Sequence, residues 1–264
     1  MKLWQKLTAL VLGTLLLASA TGCGGSKSSG GALAKIKKAG VLKVGCKADV
    51  PGFGLKDPKT GEYKGFEIDL AKAIAKKIFN DEKKVSFQTV SAKTRGPLLD
   101  NGEIDCVVAT FTITEQRKKD YNFTEPYYVD AIKLMVKEDS GIKSVKDLNG
   151  KIIGVSRSAT TKAALEKPLK DLGVQVKFSE LESHPELKVA LDSGRINCFA
   201  LDGAILNGYM DDSVILLPDR FKEQEYGIAT KKDNTEMAKL VNDLVIEMKK
   251  NGEMDQLQKK WGIK

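Results

Sequence analysis

The sequence predicts an α/β chain built as two similar lobes. Two observations carry that expectation: apolar, β-branched runs alternate with segments of helical periodicity, and one helix–glycine–strand unit occurs twice. The runs at residues 41–46, 85–90, 105–109, 132–136, 152–155, 175–178, 196–201 and 226–230 have the length and composition of buried strands. Between them, Ile68, Ala71, Ile74, Ala75 and Ile78 recur at helical spacing, with Lys72, Lys76 and Lys77 on the other face. Further helices are predicted over residues 162–172, over 236–249 on Met237, Leu240, Leu244 and Met248, and in a short segment ending at Trp261. Strands alternating with helices imply parallel sheets with crossover connections.

The repeated unit spans residues 99–110 (LDNGEIDCVVAT) and 191–202 (LDSGRINCFALD). In each copy a helix stops at a glycine, where a C-cap needs positive φ, and a buried strand follows. A polar residue then stands where the strand stops: Thr110 in one copy, Asp202 in the other. Ligands of open parallel sheets sit beyond the carboxyl ends of the strands. Thr110 and Asp202 are therefore candidate site residues from opposite lobes.

The N-terminus reads as a processing signal. Lys2 and Lys6 precede an apolar run over residues 7–18, too short for the ~20 residues that span a bilayer and long enough for a signal-peptide core. Ser19-Ala20-Thr21-Gly22-Cys23 resembles a bacterial lipobox with Cys23 as the lipidated residue, although Ala20 stands where Leu is usual; plain secretion with cleavage near Ala20 is the alternative. Residues 24–31 (GGSKSSGG) have the composition of a flexible tether. The expected order is thus a signal peptide over 1–22 and a lipid-anchored linker over 23–32, on the outer side of a cell membrane.

Lys and Arg (43) outnumber Asp and Glu (35), a formal charge of +8, but no basic block interleaved with aromatics marks a nucleic-acid surface. The chain has one histidine, His184, so a His-rich metal site or a Ser-His-Asp triad has little to be built from, and no metal or cofactor is expected. His184 precedes Pro185 in a polar stretch and reads as a surface residue. Cys46, Cys106 and Cys198 lie in apolar runs without CxxC pairing and read as buried, inert thiols; a Cys46–Cys106 disulfide stays open in an extracellular setting.

Four stretches could hold a ligand. Thr110-Phe111-Thr112-Ile113-Thr114-Glu115-Gln116-Arg117 starts at a strand end, with Thr114 as an N-cap and Arg117 three residues on; hydroxyls, free N–H groups and a guanidinium in one turn suit a carboxylate, while a solvated Arg117 is the plain alternative. Ser158-Ala159-Thr160-Thr161-Lys162 follows a strand and opens a helix, whose N-terminus favours an anion or needs only a threonine cap. Asp202 either caps the helix after it or accepts from a ligand ammonium. Arg95, in Ala92-Lys93-Thr94-Arg95-Gly96-Pro97-Leu98-Leu99, is either solvated or directed at a second carboxylate.

At these residues the chain closely resembles the extracellular amino-acid-binding proteins of ABC importers, solute-binding family 3. Gly65-Phe66-Glu67-Ile68-Asp69-Leu70 carries the family signature, Asn122-Phe123-Thr124-Glu125-Pro126-Tyr127-Tyr128 is similar to its approach to the interlobe crossover, and Lys260-Trp261-Gly262 to its C-terminus. The resemblance implies a periplasmic-binding-protein-like fold of type II: two Rossmann-like lobes, residues 33–130 with 225–264 and residues 131–224, joined by a two-strand hinge. It implies that Arg117 clamps an α-carboxylate with help from Thr112 and Thr160, that Asp202 holds the α-ammonium with the Thr110 region, and that Ala159 is also a ligand-binding position.

The runs over residues 93–102, 109–114, 159–162 and 224–227 look like the aspartate/glutamate-binding branch, in which an arginine at the Arg95 position holds the side-chain carboxylate and Lys47 and Tyr226 also face the cleft. Arg157 stands where glutamine is usual, adding positive charge or pointing to solvent. Val50-Pro51-Gly52-Phe53 lacks the aromatic that binders of basic amino acids stack on their ligand. The expectation is a monomeric receptor that closes on glutamate or aspartate and delivers it to membrane permease subunits, with a neutral polar cargo such as glutamine as the alternative. An enzyme of the dehydratase type would need Glu225 or Glu115 as a general acid in the cleft. A detached sensor domain is a third possibility.

Overall fold

The computed structural model describes residues 31–263; the predicted signal peptide and Cys23 lie outside them. Two five-stranded paths form the body. One runs Val85–Thr89, Leu42–Cys46, Cys106–Val108, Ala229–Lys231, Tyr121–Phe123; the other runs Lys177–Leu181, Ile152–Ser156, Cys198–Asp202, Tyr128–Lys137, Val214–Leu216. In both, three parallel strands are followed by an antiparallel fourth, the arrangement of a type II periplasmic-binding fold. A small three-stranded sheet, Asp49–Val50, Gly54–Lys56 and Tyr63–Lys64, precedes the helix Phe66–Phe79.

The repeat proves to be physical. Gly102 and Gly194 both stop their helices at φ 73°. Asp105 and Asn197 then make the same two-way clasp. Asp105 donates its N–H to the Lys43 carbonyl (2.8 Å) and accepts the Lys43 N–H on its carboxylate (2.8 Å); Asn197 does the same with Ile152 (2.8 and 2.9 Å). Each clasp sets the register of one parallel pair. Gly45 and Gly154 occupy equivalent strand positions, where an added Cβ would collide with the Cδ1 atoms of Ile104 and Ile196, the isoleucines that follow the two capping glycines.

The lobes are joined where Tyr128–Lys137 meets Glu223–Tyr226. Tyr128–Ala131 pairs with the returning strand, and Ile132–Met135 continues into the second sheet against Cys198–Asp202. The run 226–230, expected as one strand, is two: Tyr226 pairs with Tyr128, whereas Ala229 pairs with Val107 and Phe123. Gly227 lies between, packed against Ile113 and Phe123, where the chain changes sheets.

The helix Phe66–Phe79 buries Ile68, Ala71, Ile74 and Ala75 as their spacing predicts. Trp261 donates from its indole to Asp69 (2.9 Å), which docks the C-terminal segment onto that helix. All three described cysteines are free and buried, so the Cys46–Cys106 disulfide left open above does not form; Cys46 pairs with Val108 and Cys106 with Val44, two residues out of register. Burial pushes each thiol well above the usual cysteine range.

His184 is a correction. It is buried as the first residue of the helix His184–Asp192. Ser183 caps that helix reciprocally with Glu186, and the Ser-x-x-Glu spacing was the sequence signal for it.

Gly45→Ala and Gly154→Ala are each expected to lose about 1–3 kcal/mol by overpacking. Urea denaturation at neutral pH measures this; an unchanged midpoint in both would show that the two isoleucines move aside freely.

Candidate functional site

The strand ends of both lobes face one narrow, partly open cavity. Lys47, Arg95, Thr110 and Thr112 line it from the first lobe; Ser156, Ala159, Thr160, His184 and Asp202 line it from the second. The lobes also touch around it. Tyr209 donates its hydroxyl to the Asp49 carbonyl, the His184 N–H reaches the Asp49 carboxylate (3.4 Å), and Lys93 lies 3.8 Å from Glu182.

In the first lobe Phe111 is a platform for two cations. The Arg95 guanidinium carbon lies 3.9 Å from the ring centroid and that of Arg117 4.7 Å. Arg95 is buried, not solvated; its Nη1 donates to the carbonyls of Ala109 (2.8 Å) and Thr110 (3.2 Å), and its Nε has no hydrogen-bond partner among the described residues. Burial and the nearby Arg117 pull Arg95 down to about 9, so it remains cationic at neutral pH. Thr114 accepts the Arg117 N–H as the predicted cap (3.1 Å), and the Arg117 Nη1 donates to the Thr112 carbonyl (2.7 Å). Arg117 is half-buried behind Thr112, not itself on the cavity wall.

In the second lobe Asp202 does not use its carboxylate as a cap. The helix it precedes, Gly203–Asn207, is capped by Asp130, which accepts the Ala204 N–H at 2.7 Å. The Asp202 carboxylate instead accepts the Tyr226 hydroxyl and faces Arg95 and Arg117 electrostatically. Burial raises it to about 7, and the Tyr226 hydrogen bond and the two arginines hold it from going higher. Tyr226 is fully buried and stands behind the wall, fixing Asp202. Thr160 donates its hydroxyl to Gln224 on the hinge strand (2.7 Å).

Ser158 takes φ 61° ahead of the helix Thr161–Asp171, and the Ser156 hydroxyl is buried without a partner among the described residues. Lys47 is buried 3.0 Å from Asp49, whose carboxylate lies 3.9 Å from the His184 Nδ1. Burial and Lys47 push the His184 imidazole far down, so it is neutral at physiological pH.

The structure thus brings Lys47, Arg95, Thr110, Thr112, Ala159, Thr160 and Asp202 to one cavity, with Arg117 behind Thr112 and Tyr226 behind Asp202. Arg157 turns away to pair with Glu182. Glu115 and Glu225 are exposed and do not line the cavity. Sequence reasoning missed Ser156, Asp49 and His184 as neighbours of the cavity, and Gln224 as the partner of Thr160. Only the capping pattern at Ser183 could have flagged one of them.

Two Rossmann-like lobes closing on a cavity with opposite charges on facing walls define a solute-binding protein of the two-lobed kind. The chain belongs to the bacterial extracellular solute-binding proteins, family 3, whose family model matches residues 42–264. It is 39% identical over 97% of both chains to the ABC transporter glutamine-binding protein GlnH of Bacillus subtilis (strain 168). A glutamine-binding protein of Geobacillus stearothermophilus is 40% identical over 78% of this chain and 79% of that one. Among solved structures, an ancestral arginine-binding protein bound to glutamine superposes with a TM-score of 0.75 at 37% identity, over 85% of this chain and 99% of its own.

Tyr226→Phe is expected to raise the Asp202 carboxyl above its value of about 7, because a hydrogen bond to the ionised form is lost. A carboxyl ¹³C titration reads this directly, and an unmoved midpoint would show that Tyr226 does not govern Asp202.

Proposed function

We propose that the chain is the receptor of an amino-acid ABC importer and that its cargo is a polar α-amino acid, glutamine in the first place. The observation that carries this reading is that Asp202 of one lobe and Thr112 of the other line the same narrow cavity, with Arg117 held directly behind Thr112 and within electrostatic reach of Asp202. A zwitterion satisfies both walls at once: its carboxylate on Arg117 and the Thr112 and Thr160 groups, its ammonium on Asp202 near Thr110. Closure then follows from differential binding, since only the shut state lets both lobes touch the ligand.

Glutamine is supported by the names of the two relatives above and by the charge pairing inside the cavity. Lys47 is matched by Asp49, and His184 is neutral. Glutamate or aspartate is the second reading, and Arg95 favours it: a buried guanidinium on the wall with an unpartnered Nε is suited to a side-chain carboxylate. Attachment to the membrane through a lipid on Cys23, and delivery by a monomer to permease subunits, belong to the same proposal.

Titration calorimetry with glutamine, glutamate and aspartate tests it. Glutamine is expected to bind tightest. Arg117→Ala and Asp202→Asn should each weaken it by about 100-fold or more, because one member of a desolvated charge pair is removed. Tighter binding of glutamate would put the second reading first, and no binding of any of the three would end the proposal.

A further inference from the structure

Under the cavity lies a carboxylate that the binding scheme does not use. Glu67 is fully buried in the first turn of the helix Phe66–Phe79 and is not on the cavity wall. Its Oε1 accepts the Thr110 N–H at 2.5 Å and the Tyr127 hydroxyl at 2.5 Å; its Oε2 has no hydrogen-bond partner among the described residues. The other side of Thr110 belongs to Arg95, whose Nη1 donates to the Thr110 carbonyl. A buried anion and a buried cation are therefore held by the N–H and the C=O of one residue, which sits at φ 44° on the cavity floor. Buried charges linked through one residue feel each other more than they would in water, and each is among the groups that shift the other.

We propose that Glu67, without touching the ligand, sets the charge class of side chain that the cavity accepts. Ionised, it compensates Arg95, and an uncharged carboxamide completes the site. Neutral, it leaves Arg95 to take its counter-ion from the ligand, and a carboxylate is preferred. This rests on the reading above, in which the cargo is an α-amino acid whose side chain lies toward Arg95.

The groups that face Glu67 are Tyr127 from the approach to the hinge, Thr110 from the end of the strand Cys106–Val108, Lys47 from beyond the strand Leu42–Cys46, Arg95 from the helix Arg95–Asp100, and the Cys46 thiol, which burial and Glu67 keep protonated. Burial raises the carboxyl to about 7 against the opposing pull of Tyr127, Thr110, Lys47 and Arg95, so both of its states are within reach near neutral pH. His184 stays neutral in that range. Asp202 titrates there as well and, because it also faces Arg95, moves the ratio in the same direction, so Glu67→Gln at fixed pH isolates Glu67 while a flat wild-type ratio excludes it.

The test is calorimetry of glutamine and glutamate on the wild type and on Glu67→Gln at pH 8. The ratio of the glutamate Kd to the glutamine Kd is expected to fall by about tenfold in the variant. In the wild type it should fall in the same direction between pH 8 and pH 6. A Glu67 that merely braces Thr110 would weaken both ligands alike and leave the ratio where it was, which overturns the inference. If the variant does not fold, the wild-type series decides: a ratio flat from pH 8 to pH 6 is a refutation. Arg95→Met separates the two levels. If it too leaves the ratio unmoved, the placement of the ligand side chain is wrong and the inference goes with it. If it moves the ratio while Glu67→Gln does not, the inference about Glu67 alone is lost.

Discussion

Charge removed from water is the constraint on which this molecule is organised. Arg95, Lys47 and Asp202 are each buried around one small space, with Arg117 half-buried behind them. An isolated ion in such a setting is expensive, and a paired one is tolerated only when its remaining hydrogen-bonding groups are also met. Phe111 and three main-chain carbonyls hold the two arginines side by side; Tyr226 holds Asp202; Asp49 holds Lys47. Arg95 and Asp202 both line the cavity, and on the proposed reading its charges match those of an amino-acid zwitterion.

The fold supplies opposed walls by using one frame twice. The clasps of Asp105 and Asn197, the glycines at φ 73° and the close-packed Gly45 and Gly154 keep the two copies alike where stability is decided. They diverge at the strand tip. Thr110 ends one copy as a neutral residue at φ 44°, tied by its backbone to Glu67 and Arg95; Asp202 ends the other as a carboxyl group on the cavity wall. A lone strand end can offer either, but a hinge that folds one onto the other is needed to present both to a single molecule.

Much of this was legible in the chain because it rests on local patterns. Helical spacing located the helix Phe66–Phe79, and the repeat pointed to Thr110 and Asp202, which line one cavity. Thr114 was readable as a cap because threonine three residues before a free N–H is a local arrangement. The rest depended on tertiary placement. His184 reads as polar surface until the second lobe closes on Asp49, and the break at Gly227 follows from which sheet each half of the segment meets. Whether Asp202 is a cap could not be read from its neighbours, because its rival for the role, Asp130, is far away in sequence.

Specificity is the part that depends most on balance. On the proposed reading, Arg95 would draw the cavity toward an acidic side chain, while Glu67 and the Lys47–Asp49 pair would draw it toward a neutral one. The central claim is more general than that balance: the two lobes divide the α-amino-acid group between them. A crystal structure of the chain grown with glutamine tests it most directly. The account predicts the α-carboxylate against Arg117 and Thr112 and the α-ammonium on Asp202, with both lobes in contact. A ligand bound wholly to one lobe, or lying with its ends reversed, would contradict it.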